Sequence, residues 1–294
     1  MAAKSEPPLL VICGPTASGK SELALKLAIR FGGEIICADS RTVYKGMDIG
    51  TAKPSRDDQV LVPYHLLDVV NPGELFTAYD FKQQATTAIK AIRQKNKLPL
   101  VVGGTGLYID GLIFDYQFPP KLSPERYESL NTLSLEQLYK YCNNNSINLP
   151  QSNHNKRHII SAIRQHWYPI KRKKVITSNV IVVGIATERE LLRQRIAKRA
   201  EHIFSHGVVR EAKKLGKMYG WNNESMTANI YPIIHSYTKG ELTLEEAEEK
   251  SAIIDWQLAK RQLTWLKRNP YIKWCNLADA EFFLTSTLAK FEQK

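Results

Sequence analysis

The sequence predicts an α/β protein: a parallel-sheet core with helices on both faces, interrupted by a small all-helical insertion domain. Three observations predict it. Short apolar runs of strand length alternate with segments of helical periodicity, the pattern of a parallel sheet. The first run passes into a glycine-rich loop that opens directly into a helix, Gly14-Pro15-Thr16-Ala17-Ser18-Gly19-Lys20-Ser21. Between about Pro119 and Lys174 the apolar runs stop and the composition turns polar.

Leu9-Leu10-Val11-Ile12-Cys13 is continuously apolar, as a strand buried on both faces must be. The loop after it fits the P-loop pattern G-x-x-x-x-G-K-[ST] at every position. Glu22 to Arg30 then sets Leu23, Ala24, Leu27 and Ala28 at helical spacing until Gly32-Gly33 stops it. Strand, loop and helix start together turn backbone N–H groups and a positive helix end toward one anion. Lys20 adds a point charge for the phosphates and Ser21 a hydroxyl for Mg²⁺. A tight turn that binds nothing would leave Lys20 unexplained.

Glu34-Ile35-Ile36-Cys37-Ala38 is a second strand ending on Asp39-Ser40. Polar residues at the carboxyl ends of parallel strands line the ligand crevice, so Asp39 is expected to face the P-loop. Arg41 to Pro54 is polar and glycine-punctuated, as expected of a loop beside an active site. Tyr64 to Val70 contains a further strand ending near Asp68, and Thr77 to Lys95 a helix with Phe81, Ala85, Ala88 and Ile92 inward. Leu98 to Val102 is the next strand. Gly103-Gly104-Thr105-Gly106-Leu107-Tyr108 follows, and its glycines are expected to let backbone approach a ligand closely.

The polar segment, with Asn143-Asn144-Asn145 in its middle and Lys171-Arg172-Lys173-Lys174 at its end, divides the chain. The expected organisation is a core at 1–116, a helical insertion at 117–176 and the rest of the core at 177–294, where Val180 to Ile185 resumes a strand. Glu188 to Leu215 is helical, with Leu192, Ile196 and Ile203 as its stripe and Arg195 and Arg199 sharing a face. Leu242 to Arg268 makes a long helix with Ala252, Trp256, Ala259, Leu263 and Leu266 as its seam. Arg261 and Arg268 lie opposite that seam, flanked by Lys260 and Lys267.

With 294 residues and 43% apolar content, the chain has the material for a sizeable core. No apolar run reaches the length of a membrane span, and no signal peptide or myristoylation glycine opens the chain, so a cytoplasmic protein is expected. The four cysteines are scattered, which is neither a disulfide framework nor a zinc pattern. A formal charge of +12 exceeds what a small phosphorylated metabolite requires and suits a polyanionic partner. Neither an obligate protein partner nor an oligomer is indicated, so a monomer is expected.

A P-loop alone does not name the reaction. In phosphoryl transfer from ATP, Asp39 would be a Mg²⁺ ligand at a strand end. In transfer of the group carried by a bound diphosphate, the loop stabilises the leaving group and Asp39 is free to act as a base. A nucleotide-dependent switch is the third class. The physical reading leaves kinase and diphosphate-leaving transferase level.

Four stretches in this order carry a resemblance: the P-loop; Asp39-Ser40 with Val43-Tyr44-Lys45-Gly46-Met47-Asp48-Ile49-Gly50-Thr51-Ala52-Lys53-Pro54; Gly103 to Tyr108; and Ala259-Lys260-Arg261-Gln262-Leu263-Thr264-Trp265. Together they resemble the tRNA dimethylallyltransferases, the tRNA isopentenyltransferase family, from about residue 9 to about residue 275. General nucleotide kinases lack the second and last stretches. The alternatives kept beside this are an adenylate isopentenyltransferase acting on free AMP or ATP, an ATP-dependent P-loop kinase, and an RNA-binding relative without activity.

The resemblance implies that dimethylallyl diphosphate lies with its diphosphate in the loop Gly14 to Ser21, through Thr16, Ser18, Gly19, Lys20 and Ser21 with Mg²⁺, and that Arg195 or Arg199 assists. It implies Asp39 as general base, with Thr105 and Lys20 also catalytic, acting on the exocyclic amine of the adenosine 3′-adjacent to the anticodon in tRNA. The anticodon stem-loop would be contacted by Asp39, Ser40, Arg41, Thr42 and Thr105. Further contacts would come from Arg126, Arg157 and His158 of the insertion and from Lys260, Arg261, Gln262, Leu263, Thr264, Trp265, Leu266 and Lys267. The chain departs from the family pattern at Thr42, where glutamine is usual, at His158 and Ser161, where arginines are usual, and at Ile230-Tyr231-Pro232, which keeps only the tyrosine of Gly-Tyr-Lys/Arg. With no Cys/His zinc module near its end, it resembles the bacterial members.

Overall fold

The structure is a computed structural model that describes residues 6–120, 122–150, 153–227 and 230–292. It divides into two compact units, one running to Ile113 and again from Ile176, the other spanning Phe114–Val175. In the first unit the elements are β1 (Leu9–Cys13), α1 (Lys20–Arg30), β2 (Gly33–Ala38), α2 (Arg56–Leu61), β3 (Tyr64–His65), α3 (Ala78–Gln94), β4 (Leu98–Gly103) and α4 (Gly106–Ile113). The insertion carries α5 (Pro124–Asn131), α6 (Leu135–Asn144) and α7 (Lys156–Trp167). The first unit resumes with β5 (Val180–Ile185), α8 (Arg189–Ser205), α9 (Val208–Tyr219), α10 (Tyr231–Thr238), α11 (Leu244–Leu266), β6 (Lys273–Cys275) and α12 (Leu277–Glu292).

The six strands are parallel in the order β3-β2-β4-β1-β5-β6. β1 lies in the middle, Val11 pairing with Val101 on one side and Val182 on the other. Because the chain leaves β1 for β2 and later fills the gap with β4, the strand order reverses beside β1. Ligands of open parallel sheets bind at the carboxyl end of such a switch point, and here that end carries the P-loop.

Helices cover both faces. On one, Leu10 and Ile12 of β1 pack with Leu23 and Leu27 of α1 and with Ala280, Leu284 and Leu288 of α12. The other receives α3 through Phe81, Ala85, Ala88, Ile89 and Ile92, with the Phe81 ring stacked on Tyr108 of α4 at 4.3 Å. Each buried leucine, isoleucine or phenylalanine among them contributes about 1.5–3 kcal/mol, so the sheet holds the crevice residues on a rigid base. Reciprocal caps start four of the described helices, Ser55 with Asp58 at α2, Thr77 with Asp80 at α3, Ser134 with Gln137 at α6 and Thr243 with Glu246 at α11.

Two expectations are revised, and two elements were not foreseen. The strand sought over Tyr64–Val70 pairs only at Tyr64–His65, because Leu66 and Asp68 take left-handed φ of 63° and 54°. The helix over Glu188–Leu215 is two helices, broken at Gly207 with φ 92°. The last strand and α12 carried no prediction, although Ala280, Leu284 and Leu288 repeat every four residues.

The insertion has its own core, built from Leu138 and Cys142 of α6 and Ile159, Ile160 and Ile163 of α7. An antiparallel bridge between Gln117 and Lys171 joins its two ends.

Candidate active site

The P-loop turns at Ala17 (φ 60°) and Gly19 (φ 89°), and Gly19 caps the start of α1. The Ser18 hydroxyl is fully buried and has no hydrogen-bond partner among the described residues. Buried polar atoms are nearly always paired, and this hydroxyl is an exception. The half-buried Lys20 folds back and donates from Nζ to Pro15 O at 3.0 Å. Burial pushes its ammonium down to about 8; Asp39 acts to hold the proton and Arg199 to expel it. Lysine, aspartate and arginine thus share one crevice.

Asp39 follows the last residue of β2, and its Oδ1 accepts the Arg41 N–H at 2.8 Å, closing a tight turn. Thr105, between β4 and α4, donates its N–H to Ala38 O at 3.2 Å and accepts the Ser40 N–H on Oγ1 at 3.2 Å. The neighbouring strand ends are therefore tied together, and Asp39 and Thr105 sit side by side across from the loop. Thr42 is buried, its hydroxyl 3.5 Å from Asp39 O, so it supports the turn from beneath.

Arg195 and Arg199 of α8 both reach the loop. Arg195 Nη1 lies 3.4 Å from Ser18 O. Arg199 Nη1 donates to Thr16 Oγ1 at 2.6 Å and to Asp255 of α11 at 2.7 Å. Burial raises the Asp255 carboxyl above its ordinary range; Arg199 pulls it back and Asp39 adds to the rise.

The glycines of Gly103 to Tyr108 admit close protein neighbours. A Cβ on Gly103 would strike the Ala38 backbone, one on Gly104 the Gln262 amide, and one on Gly106 the Trp265 indole. They are small so that β2 and α11 can close in. Gln262 Oε1 accepts the Thr16 N–H at 2.8 Å, and Trp265 Nε1 donates to Asp110 Oδ2 at 2.7 Å, where Asn269 also donates to Oδ1 at 3.0 Å. Of the residues expected to contact RNA on this helix, Leu266 is fully buried, and Gln262 is half-buried with its Oε1 turned to the loop. Leu263 is half-buried, and Lys260, Arg261, Thr264, Lys267 and Arg268 are exposed, with Trp265 at the margin.

The stretch Val43 to Pro54 is held by its own Lys53 and by Glu211, a residue that no motif marked. Glu211 of α9 accepts the consecutive N–H groups of Asp48, Ile49 and Gly50 at 2.8, 2.7 and 3.0 Å and the Tyr231 hydroxyl at 2.9 Å. Lys53, its side chain only 3% exposed, bridges Asp48 and Asp68 and donates to Tyr44 O. The tyrosine of Ile230-Tyr231-Pro232 therefore braces this loop. In the insertion, the exposed Arg126 stacks 4.1 Å over the Trp167 ring, and Arg157 and His158 open α7, the histidine exposed.

Ser21 lies exposed in the first turn of α1, and no group of three His, Cys, Asp or Glu side chains converges as a metal site among the described residues. No helix among them is long and apolar enough to cross a membrane.

A family model described as IPP transferase matches residues 42–269. A tRNA dimethylallyltransferase of Staphylococcus haemolyticus is 36% identical, covering 92% of this chain and 87% of its own. One of Pelotomaculum thermopropionicum is 38% identical, covering 93% of each. Among solved structures, the full-length tRNA isopentenylpyrophosphate transferase of Bacillus halodurans superimposes with a TM-score of 0.72 at 30% identity, covering 98% of this chain and 99% of that one. A eukaryotic dimethylallyltransferase described as acting on tRNA shares the fold, with a TM-score of 0.73 at 22% identity, over 93% of this chain and 75% of its own.

Proposed function

The chain belongs to the IPP transferase family, and on that premise we propose that it is a tRNA dimethylallyltransferase. It moves a dimethylallyl group from dimethylallyl diphosphate to the exocyclic amine of the adenosine 3′-adjacent to the anticodon, releasing diphosphate. The observation that carries the reading is the pairing of an anion cradle, with Lys20, Arg199 and the unpartnered Ser18 hydroxyl, with a carboxylate, Asp39, at the adjacent strand end. The two halves of the reaction need those two halves of the crevice.

The bond between the donor's first carbon and the diphosphate oxygen breaks, its electron pair leaving with the diphosphate. The adenine nitrogen forms the new carbon–nitrogen bond, and Asp39 takes the proton that the nitrogen gives up. An exocyclic amine is a poor nucleophile, so a positioned base contributes about 10²–10⁴ in rate. Lys20 and an arginine stabilise the anion as it forms. Thr105 holds the Asp39 turn and faces the flipped base. The exposed Lys260, Arg261 and Lys267, with Arg126, Arg157 and His158 of the insertion, take up tRNA phosphates.

The residues present fit Mg²⁺ bound through its substrate. A protein cage is absent from the described residues, and Mg²⁺ is commonly held by a few protein oxygens together with phosphate oxygens. Ser21 would supply the protein oxygen, and the ion would neutralise charge on the departing diphosphate. The enzyme works as a monomer in the cytoplasm, where its tRNA substrate is.

The test is mass analysis of unmodified tRNA, and separately of AMP, after incubation with dimethylallyl diphosphate and Mg²⁺. One added five-carbon unit on the tRNA is expected. Prenylated AMP beside unchanged tRNA would overturn the reading, as would ATP turnover without the prenyl donor.

A further inference from the structure

Arg199 reaches three separate parts of the first unit: the Thr16 hydroxyl at 2.6 Å, Asp255 Oδ2 at 2.7 Å, and the Thr51 carbonyl at 3.5 Å from Nη2. The Arg199 and Asp255 side chains are 23% and 17% exposed, so water screens the pair weakly and its geometry matters. A guanidinium on a long flexible stem loses several rotatable bonds when it is fixed, and a carboxylate partner supplies the direction that fixes it. Without Asp255, the remaining partners of Arg199 are neutral oxygens, and the head is free to swing toward solvent.

Asp255 and Gln262 are seven residues apart, two turns of α11, and so lie on one face. Gln262 holds the Thr16 N–H and Asp255 holds the arginine that bonds the Thr16 side chain. The same helix face therefore grips the loop at backbone and side chain of one residue. Neither the sequence motifs nor the resemblance marks Asp255.

We propose that Asp255 is a positioning residue that aims the Arg199 guanidinium at the lip of the P-loop, where the departing diphosphate collects. The identity of the anion rests on the transfer reading above; the geometry does not. Asp255 acts through Arg199 and does not touch the reacting atoms.

The experiment is a double-mutant cycle on the full chain, read by calorimetry with inorganic pyrophosphate and Mg²⁺ and by kcat and KM for prenyl transfer. Asp255→Asn and Arg199→Ala are each expected to weaken pyrophosphate binding roughly tenfold or more. The double variant should be no weaker than Arg199→Ala alone, because both remove the same contact. Affinity for tRNA should change less than about twofold, and Asp255→Glu, which keeps the charge, should recover most of the pyrophosphate binding. Unchanged pyrophosphate binding in Asp255→Asn, full additivity in the double variant, or a glutamate variant as weak as the asparagine one would each overturn the proposal. The binding arm contains no prenyl donor. A wild-type protein that binds pyrophosphate but does not prenylate tRNA would therefore defeat the transfer reading and leave the Asp255 result standing.

Discussion

Gln262 Oε1 accepts the Thr16 N–H at 2.8 Å, joining residues 246 positions apart in the chain. The helix that shows Lys260, Arg261 and Lys267 to solvent thus holds the phosphate loop with its inner face. Replacing Gln262 with leucine keeps the volume and removes the acceptor. Leaving one buried N–H unmade costs about 1–3 kcal/mol, so pyrophosphate binding is expected to weaken several-fold in calorimetry while the salt dependence of tRNA binding stays the same. Equal pyrophosphate affinity would show that the loop keeps its shape without the helix.

Asp39→Asn removes the carboxylate proposed as base but preserves an acceptor for the Arg41 N–H, so the turn should stay closed. Turnover is expected to fall by about a hundredfold or more, with tRNA affinity much less affected. Neutralising Arg261 and Arg268 should give the opposite pattern: weaker tRNA binding with a shallower salt slope and little change at saturating tRNA. Filter binding across a salt series, beside single-turnover rates, separates the two. Near-normal turnover in Asp39→Asn would remove Asp39 from the base role.

Lys20 needs its proton to hold an anion, and burial has pushed its pKa down to about 8 in the unliganded protein. A bound diphosphate favours the charged form. Binding should therefore draw in a proton as pH rises through about 8, and affinity should fall above it. Calorimetry of pyrophosphate in buffers of different ionisation enthalpy, compared between wild type and Lys20→Met, measures that uptake. Identical proton counts in the two proteins would mean that Lys20 stays charged throughout.

At the other end of β2, Glu34 meets His65 at 2.8 Å, Lys97 at 3.0 Å and Lys95 at 3.1 Å. Burial alone would raise its carboxyl, but the hydrogen bonds from His65, Lys97 and Lys95 outweigh it and hold the pKa at about 2. The folded form thus keeps the carboxylate charged where the unfolded chain, near its ordinary 4.5, would protonate it. That stability is present above about 4.5 and is lost as pH falls through about 2. Denaturant melts from neutral to acid pH should show the decline in wild type and a flatter limb in Glu34→Gln.

Gly106 is a packing glycine: a Cβ there overlaps the Trp265 indole, which is pinned by its bond to Asp110. Overfilling such a contact costs about 1–3 kcal/mol, so Gly106→Ala should lower the thermal midpoint and shift Trp265 fluorescence. An unshifted midpoint would mean that the indole finds a second place to sit.

By itself the sequence determined the parallel sheet, the P-loop and the strand end that bears Asp39, because each is written in neighbouring residues. A short unbroken apolar run bounded by turn residues suits a strand buried on both faces, and a glycine loop between strand and helix has few uses. It also determined the family, through motifs whose order survives even where their purpose is hidden. Tertiary structure alone decided what several motif residues are for. A glycine announces that something comes close without saying what, and at Gly104 and Gly106 the structure puts α11 there. Glu211, Asp110 and Asp255 lie 161, 155 and 56 residues from groups they bind, in Gly50, Trp265 and Arg199. A single polar side chain meeting a distant partner leaves no period in the chain, so only the fold that brings the two together reveals the bond.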